Sequence, residues 1–401
     1  MSGDMQKRTQ DMEKRAKAGE PLTGDELDDV IESLQYLTPK EASTEMDWEE
    51  LRKVLQDIAH ISHKDWAVTT QNSQKLLPFL IPDEKDGFPG PLSQSRYSRI
   101  LTEGNWDGAV EHASTVSSSA PWAVLVTGVN GIRKTTSLYQ PWFDSVLEEA
   151  LVQPASGDDK KEEEIAKKDL PTGKNSFFRQ LDHMIATLCN KDFATLYSMA
   201  LKQLEASENP EEPSSEIIQA YSNLKAAIFT RYRTLSELFG VLLLQQAQKK
   251  PINCLMETSG RDVAMFNYVD FVFPATYRKL ALHFKINDLS HAQSSVDRRM
   301  VHEIQSGTQL IQPDSDKKGS SIDIGKIIKA NEGGPYGSEV LPGVQAASSK
   351  VWGTVVDGSA GVGHDWFTAT IQINAHATKP WTAQAIKPDG SVGKEFTFER
   401  R

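Results

Sequence analysis

Lys134 and Thr135 follow a turn that begins at Gly128 and precede a helical pattern, which is the placement a phosphate-handling lysine and hydroxyl need. Trp122-Ala123-Val124-Leu125-Val126-Thr127 reads as an apolar strand, Gly128-Val129-Asn130-Gly131-Ile132-Arg133 as a tight turn, and Lys134-Thr135-Thr136 as a helix start. A loop of this kind wraps its backbone N–H groups around phosphates, extends the lysine to the outer phosphates and offers the hydroxyl to Mg²⁺. The helix dipole at that point favours anions. The nucleotide-contacting set is therefore Gly128, Asn130, Gly131, Ile132, Arg133, Lys134, Thr135 and Thr136, with Thr135 as a metal ligand. The spacing follows G-x-x-x-x-G-K-[ST] except at the sixth position, where Arg133 replaces glycine. A side chain there is disfavoured if the backbone takes a positive φ, although a cation has the right sign for phosphate. The alternative is a plain strand-turn-helix whose Gly128 and Gly131 serve only the turn.

Gly128-Val129-Asn130-Gly131 followed by Lys134-Thr135-Thr136 resembles the phosphate loops of P-loop proteins, including the signal-recognition GTPases. A second segment is similar to zeta-toxin-like P-loop kinases: a helix from Tyr221 to Gln248, a basic turn Lys249-Lys250-Pro251, and a strand from Ile252 that ends in Glu257-Thr258. GTPase signatures of the Asp-x-x-Gly and Asn/Thr-Lys-x-Asp type are missing at the matching places, which favours a kinase. The resemblance implies an α/β fold, a P-loop three-layer core with a parallel sheet, and ATP and Mg²⁺ as cofactors. It implies Glu257 as a holder of Mg²⁺ or its waters at the carboxyl edge of the sheet. It implies Asp182 as the base for a hydroxyl acceptor, with Asp144 as runner-up, and Arg298 and Arg299 as lid guanidinium groups that stabilise the transferring phosphoryl group. The rival reading is a nucleotide-binding interaction protein with weak or no transfer, or an NTP-hydrolysing switch. The acceptor itself is not legible.

These residues need elements to position them. Thr23-Gly24-Asp25-Glu26 has the capping-box form and opens a helix with Leu27, Val30, Ile31, Leu34 and Leu37 on one face. A second helix carries Trp48, Leu51, Val54, Leu55 and Ile58, with His60 and His63 near its end and no third metal ligand beside them. Prolines and glycines make 78–119 read mostly as loop, with Arg96, Tyr97 and Arg99 inside it. Beyond the turn, one helix is predicted through Trp142-Phe143 to about Leu151, then a solvated charged run over 157–164. Phe177, Phe178, Leu181, Ile185 and Leu188 read as a helical face that carries Asp182, and no second parallel strand is evident. Arg278 to Ile286 is a predicted core strand, and the last ninety residues alternate glycine-rich turns with strands such as Phe367-Thr368-Ala369-Thr370-Ile371-Gln372-Ile373-Asn374. The resulting division is an N-terminal helical region and loop over 1–118, a kinase-like core with a helical insertion over 119–312, and a linker with a β-rich region over 313–401. That last region is the expected surface for a protein partner. Proteolysis is expected first near 157–169 and 313–345.

Composition bounds the function. The 401 residues are 38% hydrophobic and 25% charged, enough for a sizeable core in a soluble chain. A net charge of −11 argues against nucleic acid or anionic membrane as a partner. Two cysteines, Cys189 and Cys254, suit neither a disulfide framework nor a zinc cluster. With no apolar leader and no long apolar run, the expected setting is cytoplasmic.

Overall fold

The computed structural model describes residues 2–81, 98–115, 120–154, 165–210, 212–311 and 323–399. Arg96, Tyr97, the charged run 157–164, and residues 118 and 312–313 at the two region boundaries lie outside the described residues. The fold is mixed α/β with a mostly parallel sheet, and it divides into two compact units. One comprises Met1–Ile100, Leu181–Leu243 and Val296–Glu339; the other comprises Leu101–Gln180, Leu244–Ser295 and Val340–Arg401.

The second unit contains the sheet: β1 (Trp122–Thr127), β2 (Leu151–Val152), β3 (Ser176–Arg179), β4 (Asn253–Glu257), β5 (Arg278–Ile286), β6 (Phe367–Asn374), β7 (Thr382–Ile386) and β8 (Phe396–Thr397). Its order is β3-β4-β1-β5-β6-β7-β8, with the short β2 antiparallel to β6. The five strands β3, β4, β1, β5 and β6 are mutually parallel, and β7 and β8 extend the sheet antiparallel. Every residue of β1 is buried, as a central parallel strand covered on both faces requires. In β6, buried Phe367, Ala369, Ile371 and Ile373 alternate with less buried residues, as the period-two pattern predicts.

Three local expectations are corrected. Phe177 and Phe178 lie on β3, the second parallel strand in chain order, and not on a helix; a short apolar run fits either period until its partner strand is known. The single helix after the turn is two, Lys134–Leu138 and Phe143–Ala150, separated at Pro141, which lacks an N–H and disfavours the α conformation at Gln140. Within 78–119 the described residues include the helices Ser98–Glu103 and Trp106–Thr115, the second anchored by buried Trp106 and Ala109.

The first unit is helical. Its helix Gly24–Leu37 has the predicted capping box: Thr23 Oγ1 accepts from the Glu26 N–H while the Glu26 carboxylate accepts from the Thr23 N–H. Cys189 and Cys254 are buried free thiols. No described helix is long and apolar enough to cross a membrane.

Candidate functional site

β1 sits between β4 and β5, so the turn at its carboxyl end has a strand terminus on either side. Among the parallel strands, β1 is followed in the chain by β3 on one flank and β5 by β6 on the other, and in open parallel sheets ligands bind at the carboxyl edge where the strand order diverges in this way. Gly128 enters the turn with φ 126°, and a Cβ placed there would lie 2.6 Å from the Phe284 carbonyl oxygen of β5. Gly131 has φ 83°. Both positions therefore need glycine.

Arg133 is the N-cap of Lys134–Leu138 with φ 64° and ψ 29°, the left-handed conformation in which the usual glycine is cheap. An L-residue there costs about 1–2 kcal/mol. Its guanidinium lies 4.3 Å from the Trp381 ring centroid and 5.4 Å from that of Phe398, and an exposed cation–π contact returns about 0.5–1 kcal/mol. Aromatic residues at the two ends of the β7–β8 segment thus support the irregular position of the turn.

Lys134 has a buried side chain, 3% exposed; its ammonium donates to the Gly128 and Val129 carbonyl oxygens, each at 2.7 Å, and forms an ion pair with Glu257 Oε1 at 3.1 Å. The parallel register pairs Val126 with Glu257, which carries the carboxylate to the end of β1. Its second oxygen, Oε2, accepts from Thr135 Oγ1 at 3.0 Å. The structure therefore brings Gly128, Lys134, Thr135 and Glu257 into one cluster at the helix start. The cluster offers an ammonium beside a hydroxyl and a carboxylate, a donor set of hard oxygens that fits Mg²⁺ once phosphate and water oxygens complete the shell. Among the described residues no group of three His, Cys, Asp or Glu side chains is placed to hold a metal by itself.

His283 joins the back of this site. It pairs with Thr127 across β1 and β5, and its Nδ1 is 2.8 Å from Thr127 Oγ1. The ring stacks on Trp352, with centroids 4.8 Å apart. Burial, with the charges of Lys285 and Lys134 adding to it, pushes its pKa down to about 3, so the imidazole is neutral at physiological pH. Sequence reading missed His283, Trp352, Trp381 and Phe398. The strand register could have pointed to His283, but nothing local to the turn points to the aromatics.

Of the other predicted residues, Asp182, Arg298 and Arg299 belong to the helical unit and Asp144 to the sheet unit. Asp182 is half-buried in the first turn of Leu181–Leu188. Arg298 is exposed, while Arg299 donates to the Gly334 carbonyl oxygen at 3.0 Å. Asp182 and Arg299 share one neighbourhood, since both act on the buried Lys225. Burial lowers the Lys225 pKa and Arg299 adds to that, against the opposing pull of Glu303 and Asp182. Lys225 Nζ lies 2.7 Å from Glu303 Oε2, and Glu303 also accepts from the Tyr221 hydroxyl at 2.7 Å and the Glu332 N–H at 2.8 Å. Asp144, the runner-up base, instead accepts from the N–H of Ser145. His63 Nδ1 faces Thr234 Oγ1 at 3.3 Å. Compared with known proteins, the chain matches no family model, no curated protein and no solved structure.

Proposed function

We propose that the turn between β1 and the helix Lys134–Leu138 is a phosphate-binding loop and that the protein is an ATP-dependent kinase acting on a hydroxyl acceptor. The observation that carries this reading is the convergence of Lys134, Thr135 and Glu257 at the carboxyl end of a central parallel strand. A lysine that donates to two loop carbonyls and pairs with a carboxylate is costly to bury, and a structural turn has no need of it. As a phosphate site the same arrangement has a use. Lys134 exchanges carbonyl acceptors for phosphate oxygens, the loop N–H groups take the rest, and Thr135 and Glu257 are the residues that would hold Mg²⁺. Mg²⁺, when bound with nucleotide, supplies charge neutralisation on the phosphate oxygens.

The second reading, nucleotide binding without transfer, draws on Arg133, whose left-handed backbone and stacked guanidinium depart from the ordinary glycine. A phosphotransfer screen over small metabolites with γ-labelled ATP separates the two. A labelled product that Lys134→Ala diminishes supports the kinase; binding with no product from any acceptor class supports the interaction protein.

A further inference from the structure

The helical unit contains a cavity of about 280 Å³ that the phosphate site does not use. The helices Ser2–Ala18, Gly24–Leu37 and Asn190–Glu205 line it, together with Tyr232. Five of its lining residues are acidic (Asp11, Asp25, Glu26, Asp29, Asp192) and three are basic (Arg8, Arg15, Lys191). Each cation is already engaged: Arg8 with Asp192, Arg15 with Asp11 and Glu26, and Lys191 with Glu32. Asp192 also accepts from the Tyr232 hydroxyl, and Glu26 from Arg231.

Asp29 differs from the other buried carboxylates of the wall. It is 2% exposed, its Oδ2 accepts only the Lys191 N–H at 3.0 Å, and its Oδ1 has no hydrogen-bond partner among the described residues. A buried carboxylate oxygen without a donor is an unmet demand for a cation or a proton. Among the described residues no three ligating side chains converge as a metal would require. An ammonium brings three donors and one charge on a small head, and its methylene chain suits the apolar side of such a wall, here Met12.

We propose that this cavity binds a small aliphatic polyamine, with one ammonium seated on Asp29 and a second charge balanced by the surplus acids. The five lining acids outnumber the three lining cations, so the charges of a polyamine face a net negative wall. Burial pushes the Asp29 carboxyl up to about 7; the Lys191 N–H opposes the shift, and Asp192 and Glu32 add to it. Among the described residues no histidine lines the cavity. A pKa raised on folding means that this carboxyl contributes stability below its unfolded value and loses it as pH rises through about 7. A bound ammonium prefers the ionised form, so affinity rises through the same window.

The test is calorimetric titration of spermidine, with putrescine and MgCl₂ as separate probes, into the full chain at pH 6 and pH 8. Spermidine should bind wild type about tenfold more tightly at pH 8, as expected for a group that ionises near pH 7. Asp29→Asn, which keeps an oxygen for the Lys191 N–H, should cost at least about tenfold at pH 8 and abolish the pH dependence. Spermidine that fails to bind, binds equally at both pH values, or binds Asp29→Asn as well as wild type overturns the proposal. Heat from MgCl₂ alone with none from spermidine overturns it too. Should Asp29→Asn fold poorly, the wild-type pair of pH values still decides.

Discussion

At the residue scale the turn after β1 rests on two side chains that do different work. Lys134 is held by two carbonyl oxygens and Glu257. Removing its ammonium takes this donor from the two carbonyl oxygens, at about 1–3 kcal/mol. Lys134→Ala should therefore lower the melting temperature even without nucleotide, and a denaturant melt that leaves it unchanged would mean the loop carbonyls find water instead. Arg133→Gly removes about 1–2 kcal/mol of left-handed strain and forfeits about 0.5–1 kcal/mol of cation–π contact. Its stability should then match or exceed wild type by up to about 1.5 kcal/mol; a loss of stability would show that the stack on Trp381 and Phe398 fixes the turn. His283 gives a pH signature. Its pKa is depressed on folding, so its contribution is complete above the unfolded value near 6.5 and is lost as pH falls toward about 3. Melting temperature should drop across that window, and less steeply in His283→Gln.

At the element scale the C-terminal strand segment is part of the loop's support. Trp142 Nε1 donates to the Thr397 carbonyl oxygen at 2.9 Å, its ring packs on Phe396 and Phe398, and the Glu399 N–H donates to Gln140 at 2.9 Å. Those contacts bind β8 to the stretch that follows the loop. Trp142→Ala should increase amide hydrogen exchange through 128–140, and unchanged protection there would show that the β8 contacts are incidental. The same elements show what the sequence made legible. The apolar runs at β1, β4, β5 and β6, the capping box at Thr23 and the Gly128-to-Thr135 turn were all local signals. β3 was not, because four residues beside a helix carry too short a period. Trp381 and Phe398 were not, because their roles depend on strand pairing more than two hundred residues from Arg133.

At the scale of the whole molecule, each compact unit gathers segments far apart in the chain. In the helical unit Lys225 and Glu303 are both fully buried and paired at 2.7 Å. Breaking such a pair from one side typically costs about 3–5 kcal/mol, whereas replacing both with apolar residues of similar size is often neutral. Lys225→Met should be severely destabilising and Lys225→Met with Glu303→Leu much less so, as read by chemical denaturation; equal losses would mean that Tyr221 and the Glu332 N–H depend on Glu303 as much as Lys225 does.

The proposal of a phosphate-binding loop turns on whether nucleotide binds there at all, and calorimetric titration of ATP and GTP with Mg²⁺ into wild type and Lys134→Ala measures it directly. Losing a charge-assisted contact to the outer phosphates typically costs about 1.5–3 kcal/mol, so wild type should bind at least one nucleotide and Lys134→Ala should bind it at least about tenfold more weakly. Wild-type protein that binds neither nucleotide, or a Lys134→Ala variant that binds as tightly as wild type, would contradict the assignment and leave a strand-turn-helix with no phosphate in it.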